Sequence, residues 1–301
     1  MEVLKLKLSD GKELSYRRWL PKGEVRRNLL LLHGMAEHGG RYNDFATYLN
    51  TLGYGVYAPD HRGHGLTAEG ETLGWFAAKD GWQRVVSDGY ELAQHIEAES
   101  PKIELHLFGH SMGSFLARDL IGQYPKLFKK VVLSGTGADQ GVLGAVGKAL
   151  AKIRAFFNGG KKPDKLLDKL SFGSFSKAFV PVKTKFDWLS RDEAMVQAYI
   201  DDPLCGFVCT SRFFVDLLTG IKRANNPHPL QGLSKNLPIL LISGSEDPVG
   251  DFGKGVKKVH DLYKGAGLRR AKLELVEDGR HEIINEINRK EVFEIIGKWL
   301  G

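Results

Sequence analysis

The segment Gly109-His110-Ser111-Met112-Gly113 fits G-x-S-x-G, with an apolar run before it and an apolar-periodic stretch after it. That context reads as a nucleophile elbow, in which the serine sits on a tight turn between strand and helix. Side chains at 109 and 113 would collide with neighbouring backbone. The turn lifts the hydroxyl to the sheet edge and sets it at a helix N-terminus, where developing negative charge is favoured. A serine hydroxyl is a weak nucleophile and needs a base that a third group orients. Where an elbow of this kind carries such a set, the chain order is Ser, acid, His.

The chain supplies that order. Ser243-Gly244-Ser245-Glu246-Asp247-Pro248 follows a buried apolar run, so Asp247 is the expected acid, with the adjacent Glu246 as its rival. Among ten histidines, His281 alone follows the last expected strand. Acyl transfer also needs two donors for an oxyanion. The backbone N–H of Met112 follows the nucleophile. The loop His33-Gly34-Met35-Ala36-Glu37-His38 nominates the Met35 N–H as the second donor, unless that loop is simply a strand-to-helix turn.

Other patterns carry less. Gly63-His64-Gly65-Leu66-Thr67-Ala68 fits G-x-G-x-x-A, but the next strand is expected only near Glu104, too far for a dinucleotide unit. His61 and His64 lack a third ligand candidate and read as loop hydrogen-bonders. His281-Glu282 opens an H-E-x-x-H that fails at Asn285. Cys205 and Cys209 read as small buried hydrophobes. No metal and no cofactor is expected.

These residues need a scaffold. Val3–Leu8, Leu14–Leu20, Leu29–Leu32, Tyr54–Ala58, Glu104–Phe108, Lys130–Ser134, Leu237–Ser243 and Ala271–Val276 read as strands. Tyr42–Thr51, Trp82–Glu99, Ser111–Gln123, Gly253–Gly265 and Ile283–Leu300 read as helices. Strands alternating with helices imply an α/β fold: a mostly parallel sheet of about eight strands, covered on both faces. The rhythm breaks between about Gly137 and Gly232, where no strand is convincing. The expected organisation is therefore a core of residues 1–136 and 233–301 with an inserted cap, 137–232. In the cap, Val142, Leu143, Val146, Ala149, Leu150, Ile153, Phe156 and Phe157 share an arc of about 140° on a helical wheel. Such a stripe is either docked on the core or a lid face that lines an acyl pocket or meets a lipid interface.

Composition narrows the class. Of 301 residues, 42% are apolar and 26% charged, which excludes a disordered chain. The longest apolar runs, Leu29–Leu32 and Pro238–Ile242, fall far short of the ~18 residues that cross a bilayer. Met1–Asp10 interleaves lysines with leucines and lacks the apolar core of an export signal, so the expectation is a cytoplasmic protein. The net charge of +7 is modest, and no motif points to nucleic acid. Two cysteines make no disulfide framework.

The chain resembles the monoacylglycerol lipase and lysophospholipase branch of the α/β-hydrolase superfamily. The resemblance rests on His33-Gly34-x-x-Glu37-His38-x-x-Arg41-Tyr42, Asp60-His61-x-Gly63-His64-Gly65 and Gly-His-Ser-Met-Gly. It continues through Leu189-Ser190-Arg191, Tyr199 and Asp202-Pro203-Leu204 to the Asp247 and His281 loops. It implies a serine esterase with a helical cap over an apolar acyl tunnel. Ser111 would be the nucleophile, His281 the base and Asp247 its orienter, with Met35 and Met112 as oxyanion donors. Glu37, Arg41 and Tyr199 would meet the polar end of the substrate. The expected partner is a small acyl ester, with transient lipid-interface contact through the cap. A short-acyl carboxylesterase, a peptidase of the same fold and a non-catalytic ligand binder are the alternatives. The chain departs from the branch mainly between Gly137 and Trp188, and resembles bacterial members there.

Overall fold

The computed structural model describes residues 1–301. Eight strands form one sheet: β1 (Glu2–Lys7), β2 (Glu13–Trp19), β3 (Arg27–Leu32), β4 (Tyr54–Pro59), β5 (Glu104–His110), β6 (Val131–Ser134), β7 (Ile239–Gly244) and β8 (Ala271–Val276). Their order is β1-β2-β4-β3-β5-β6-β7-β8. β2 pairs antiparallel with β1 and β4, and every other pairing is parallel. Each expected strand is present, within two residues at either end.

The four leucines of β3 show why the sheet is covered twice. Successive strand side chains point to opposite faces. Leu30 and Leu32 join one apolar cluster with Val85, Leu116, Leu120 and Val256. Those partners come from α2 (Gly81–Glu99), α3 (Met112–Gln123) and α8 (Lys254–Gly265). Leu29 and Leu31 join a second cluster with Phe45, Leu49, Val292 and Ile296, from α1 (Asn43–Thr51) and α9 (Arg289–Leu300). At roughly 1.5–3 kcal/mol for each fully buried leucine, this alternation fixes the register of the central strand.

The closing helix begins later than expected. Residues 283–285 form a 3-10 turn, Glu286 is extended, and α9 starts at Arg289. The reason is the buried Glu286 carboxylate, which accepts from Arg280 N at 2.9 Å, Arg191 N at 3.1 Å and Arg191 Nε at 2.9 Å. Satisfying those donors holds its backbone out of the helix.

Between β6 and β7 lie α4 (Gly141–Phe157), α5 (Lys165–Phe172), α6 (Glu193–Asp201) and α7 (Ser211–Ala224), with no strand. Arg118 of α3 joins the two ends of this stretch. It donates to Gly137 O at 2.9 Å, Ala224 O at 2.9 Å and the Asn225 side chain at 2.8 Å. α4 packs on α7 through small residues, and only Ala151 along it is buried. Of its apolar stripe only Leu150 packs against the core, and the rest is exposed. Val142 and Phe156 are 82% exposed and Phe157 79%. The wheel position of the stripe is legible in the sequence, but it is the face bearing Gly147 and Ala151 that approaches α7. No helix is long and apolar enough to cross a membrane.

Candidate active site

Ser111 caps α3 at φ 52° and ψ −120°, outside the regions that suit most L-residues. The two flanking glycines make this turn possible. A Cβ at Gly109 would overlap the Gly113 carbonyl, and one at Gly113 would overlap the Leu32 carbonyl. The elbow thus lies directly against the end of β3. At the Gly34 position a Cβ would stand 3.2 Å from the Ser111 Cβ, so the loop after β3 also abuts the serine.

His281 and Asp247 arrive from the loops after β8 and β7. His281 Nε2 lies 2.8 Å from Ser111 Oγ, and Nδ1 lies 2.9 Å from Asp247 Oδ1. Asp247 is fully buried and accepts from Ser243 Oγ and Val249 N, both at 2.9 Å. Burial alone would raise its carboxyl. The His281 ring and the two further donors outweigh that and hold it below the usual carboxylate range. Burial alone would lower His281, but the Asp247 charge and hydrogen bond raise it above the ordinary imidazole value. The adjacent Glu246 is exposed and makes no contact with His281. Of the two acids, Asp247 alone is hydrogen-bonded to the ring.

The backbone N–H groups of Met35 and Met112 have no hydrogen-bond partner within the protein. Both border the serine, one in the loop after β3 and one at the first position of α3. They are free donors of the kind an oxyanion requires.

Glu37, Arg41 and Tyr199 are brought together, and their polar atoms are bonded within the protein. Glu37 Oε1 accepts from Gly34 N at 2.5 Å and Tyr42 OH at 2.9 Å, while Oε2 accepts from Arg41 at 2.7 Å. Arg41 also grips both oxygens of Glu282, at 2.6 and 2.7 Å. Burial alone would raise Glu282, yet the Arg41 guanidinium holds it down to about 2. Tyr199 OH donates to Ala36 O at 2.9 Å, and its ring lies 4.7 Å beneath the Arg41 guanidinium. In this geometry the three brace the loop after β3 against the His281 loop. Arg41→Met should therefore lower kcat/KM for a monoacylglycerol and for an aryl acetate by similar factors, with a lower melting temperature. Removing one member of a buried charge network leaves unpaired carboxylates, at a cost of about 3–5 kcal/mol. A loss confined to the glycerol ester would restore the head-group reading.

Two neighbours were not singled out from sequence. Glu282 could have been noted as an acid beside the base, but its Arg41 partner lies 241 residues away. Trp188 stacks on Phe172 and stands 5.0 Å from the His281 ring. Backbone bonds hold it there: His281 N donates to Trp188 O at 3.2 Å and Glu282 N to Leu189 O at 2.7 Å.

His33, His61 and His64 are buried and bonded to one another or to backbone carbonyls. His61 N donates to His33 Nε2 at 3.0 Å, and burial presses His61 and His64 down to about 3 and 4, keeping them neutral. His38, Asp202 and Cys205 form a compact group of metal-ligating types. However, His38 Nδ1 accepts from Gly40 N at 3.1 Å, which leaves the proton on Nε2, directed at Asp202 at 2.8 Å. That nitrogen has no lone pair for a metal. Cys205 and Cys209 are free and buried, as expected.

The family model described as "Serine aminopeptidase, S33" matches residues 23–288. The chain belongs to this family. It is 29% identical to a monoglyceride lipase of Homo sapiens over 97% of this chain and 88% of that protein. It is 28% identical to a monoacylglycerol lipase of Mycolicibacterium smegmatis, over 96% and 93% respectively. A thermostable carboxyl esterase from Bacillus coagulans, solved in complex with glycerol, superposes with a TM-score of 0.91 at 26% identity. That match covers 99% of this chain and 97% of the esterase. The chain is an α/β-hydrolase of the monoglyceride lipase type, as its motifs implied.

Proposed function

We propose that this protein hydrolyses carboxylic esters, with monoacylglycerols as its substrates, through an acyl-enzyme on Ser111. The hydrogen-bonded series Ser111, His281, Asp247 carries the reading. His281 takes the Ser111 proton as the hydroxyl attacks the ester carbonyl, and Asp247 holds the ring and stabilises its cationic form. The Met35 and Met112 N–H groups stabilise the oxyanion. His281 then protonates the departing glycerol, and a water activated by the same ring releases the fatty acid. The two lipase relatives and the glycerol-bound esterase support a glycerol ester over a peptide amide.

In this reading residues 137–232 are a cap over the acyl site, and the exposed apolar stripe of α4 meets the lipid aggregate from which substrate is drawn. An interface helix of this type draws its binding from buried apolar area. The decisive assay compares long-chain monoacylglycerol, lysophospholipid, butyrate ester and peptide amide. The highest kcat/KM is expected on the monoacylglycerol, and faster cleavage of the amide would reverse the assignment.

A further inference from the structure

A cleft of about 790 Å³ lies on the flank of α4, away from Ser111, walled by α4, α7 and the start of α2. Its lining includes Trp75, Lys148, Lys152, Phe156, Arg212 and Asp216. We propose that this cleft holds the phosphate headgroup of an anionic bilayer phospholipid while the apolar stripe of α4 lies in the acyl layer. The inference rests on the lipid-interface contact proposed above and names the lipid chemistry it selects.

Three observations support it. First, the cleft opens beside the stripe. On a wheel of about 100° per residue, Lys152 and Lys148 lie about 40° and 80° from Phe156, which is both rim and stripe. They lie about 110° and 150° from the centre of the stripe, so with the stripe in the acyl layer the headgroup must reach up the flank of the helix and the long lysine stems must reach down to it. Second, the charges are arranged for an anion. Arg223 is paired with Asp119 at 2.8 Å and Arg212 stands 3.6 Å from Asp216, whereas Lys148 and Lys152 have no carboxylate partner. Third, the wall holds a loosely matched pair: the buried Arg212 Nε makes no hydrogen bond and stands 3.6 Å from Asp216 Oδ1, and Asp216 Oδ2 is likewise unbonded, which leaves the guanidinium open to a further anionic oxygen. Asp80 and Asp216 are the opposing carboxylates, so the cations outnumber them four to two along the lining. Trp75, with Lys161 5.2 Å over its ring, adds an aromatic edge at the rim.

The test is co-sedimentation of the full chain with phosphatidylcholine vesicles, with and without a minority of phosphatidylglycerol. Lys148→Gln with Lys152→Gln should cut the gain from phosphatidylglycerol by roughly tenfold or more. Lys162→Gln with Lys165→Gln, exposed lysines outside the cleft, should cut it less than about threefold. Thr219→Trp, which fills the cleft without changing charge, should reproduce the first result, with the melting temperature and butyrate ester turnover retained. Equal losses for the two lysine pairs would mean diffuse attraction and overturn the cleft site alone. Saturation of the cleft by glycerol phosphate, with vesicle binding indifferent to Lys148 and Lys152, would assign it to a soluble phosphoester and overturn the lipid. Failure of the unaltered protein to bind either vesicle would instead remove the interface reading beneath it.

Discussion

Ser111→Ala should abolish labelling by a fluorophosphonate and remove nearly all ester turnover, and His281→Ala should match it in turnover. Residues that act as a unit lose about as much singly as together, so the double variant should be hardly slower than either single one. Asp247→Asn should cost roughly 10⁴-fold in kcat, because the amide removes the charge that stabilises the His281 cation and disturbs its tautomer. Glu246→Gln should be nearly silent, since that side chain is exposed. Near-normal turnover in Asp247→Asn together with loss in Glu246→Gln would displace Asp247. The pH profile offers a second check. Catalysis needs His281 neutral, and Asp247 raises its pKa, so kcat/KM should fall on the acid side with a midpoint above 6.5. The folding contribution has the opposite sign: His281 stabilises the folded chain below its unfolded pKa, and that contribution is lost as pH rises through the folded value.

Phe156→Ser with Phe157→Ser should reduce hydrolysis of long-chain monoacylglycerol in vesicles by roughly two orders of magnitude. Two phenyl groups leaving an apolar phase forfeit about 1.5–3 kcal/mol each. Hydrolysis of a water-soluble butyrate ester should fall much less, because the Ser111, His281 and Asp247 contacts lie elsewhere. The side chains are 82% and 79% exposed, so the melting temperature should hold. Parallel loss on both substrates with a lower melting temperature would show that this helix supports the fold rather than meeting lipid.

The parts of the site that were legible in sequence depend on local rules. Gly109 and Gly113 flank Ser111 because the elbow excludes a Cβ at both, and although the clash at Gly113 is with the distant Leu32 carbonyl, the pattern itself is written within five residues. The β3 leucines announce a strand buried on both faces for a similarly local reason. The parts that were not legible depend on direction across long separations. Arg41 sits four residues from Glu37, but its two strongest bonds reach Glu282. No spacing rule says whether such a side chain turns toward a ligand or toward another loop. The α4 stripe was legible as an arc, but periodicity alone could not assign the small-residue face to α7. The late start of α9 follows from a buried carboxylate serving two other segments, again a tertiary demand overriding a local preference.

The backbone bonds from His281 and Glu282 to Trp188 and Leu189 divide the stretch between β6 and β7 into parts with different freedom. Ser190 Oγ donates to Asn285 O at 2.8 Å and Arg191 Nε to Glu286 at 2.9 Å, so residues 188–191 share a frame with His281, the proposed base. α4 has no such tie to the His281 loop and lies against α7. A transplant from a relative could therefore exchange α4 and α5 wholesale and alter which aggregates are approached. The same operation carried past residue 187 would also shift the imidazole. Natural drift faces the same seam: on the proposed reading of α4 as the lipid-facing helix, variation on its side changes where the protein works, and variation beyond it changes whether it works.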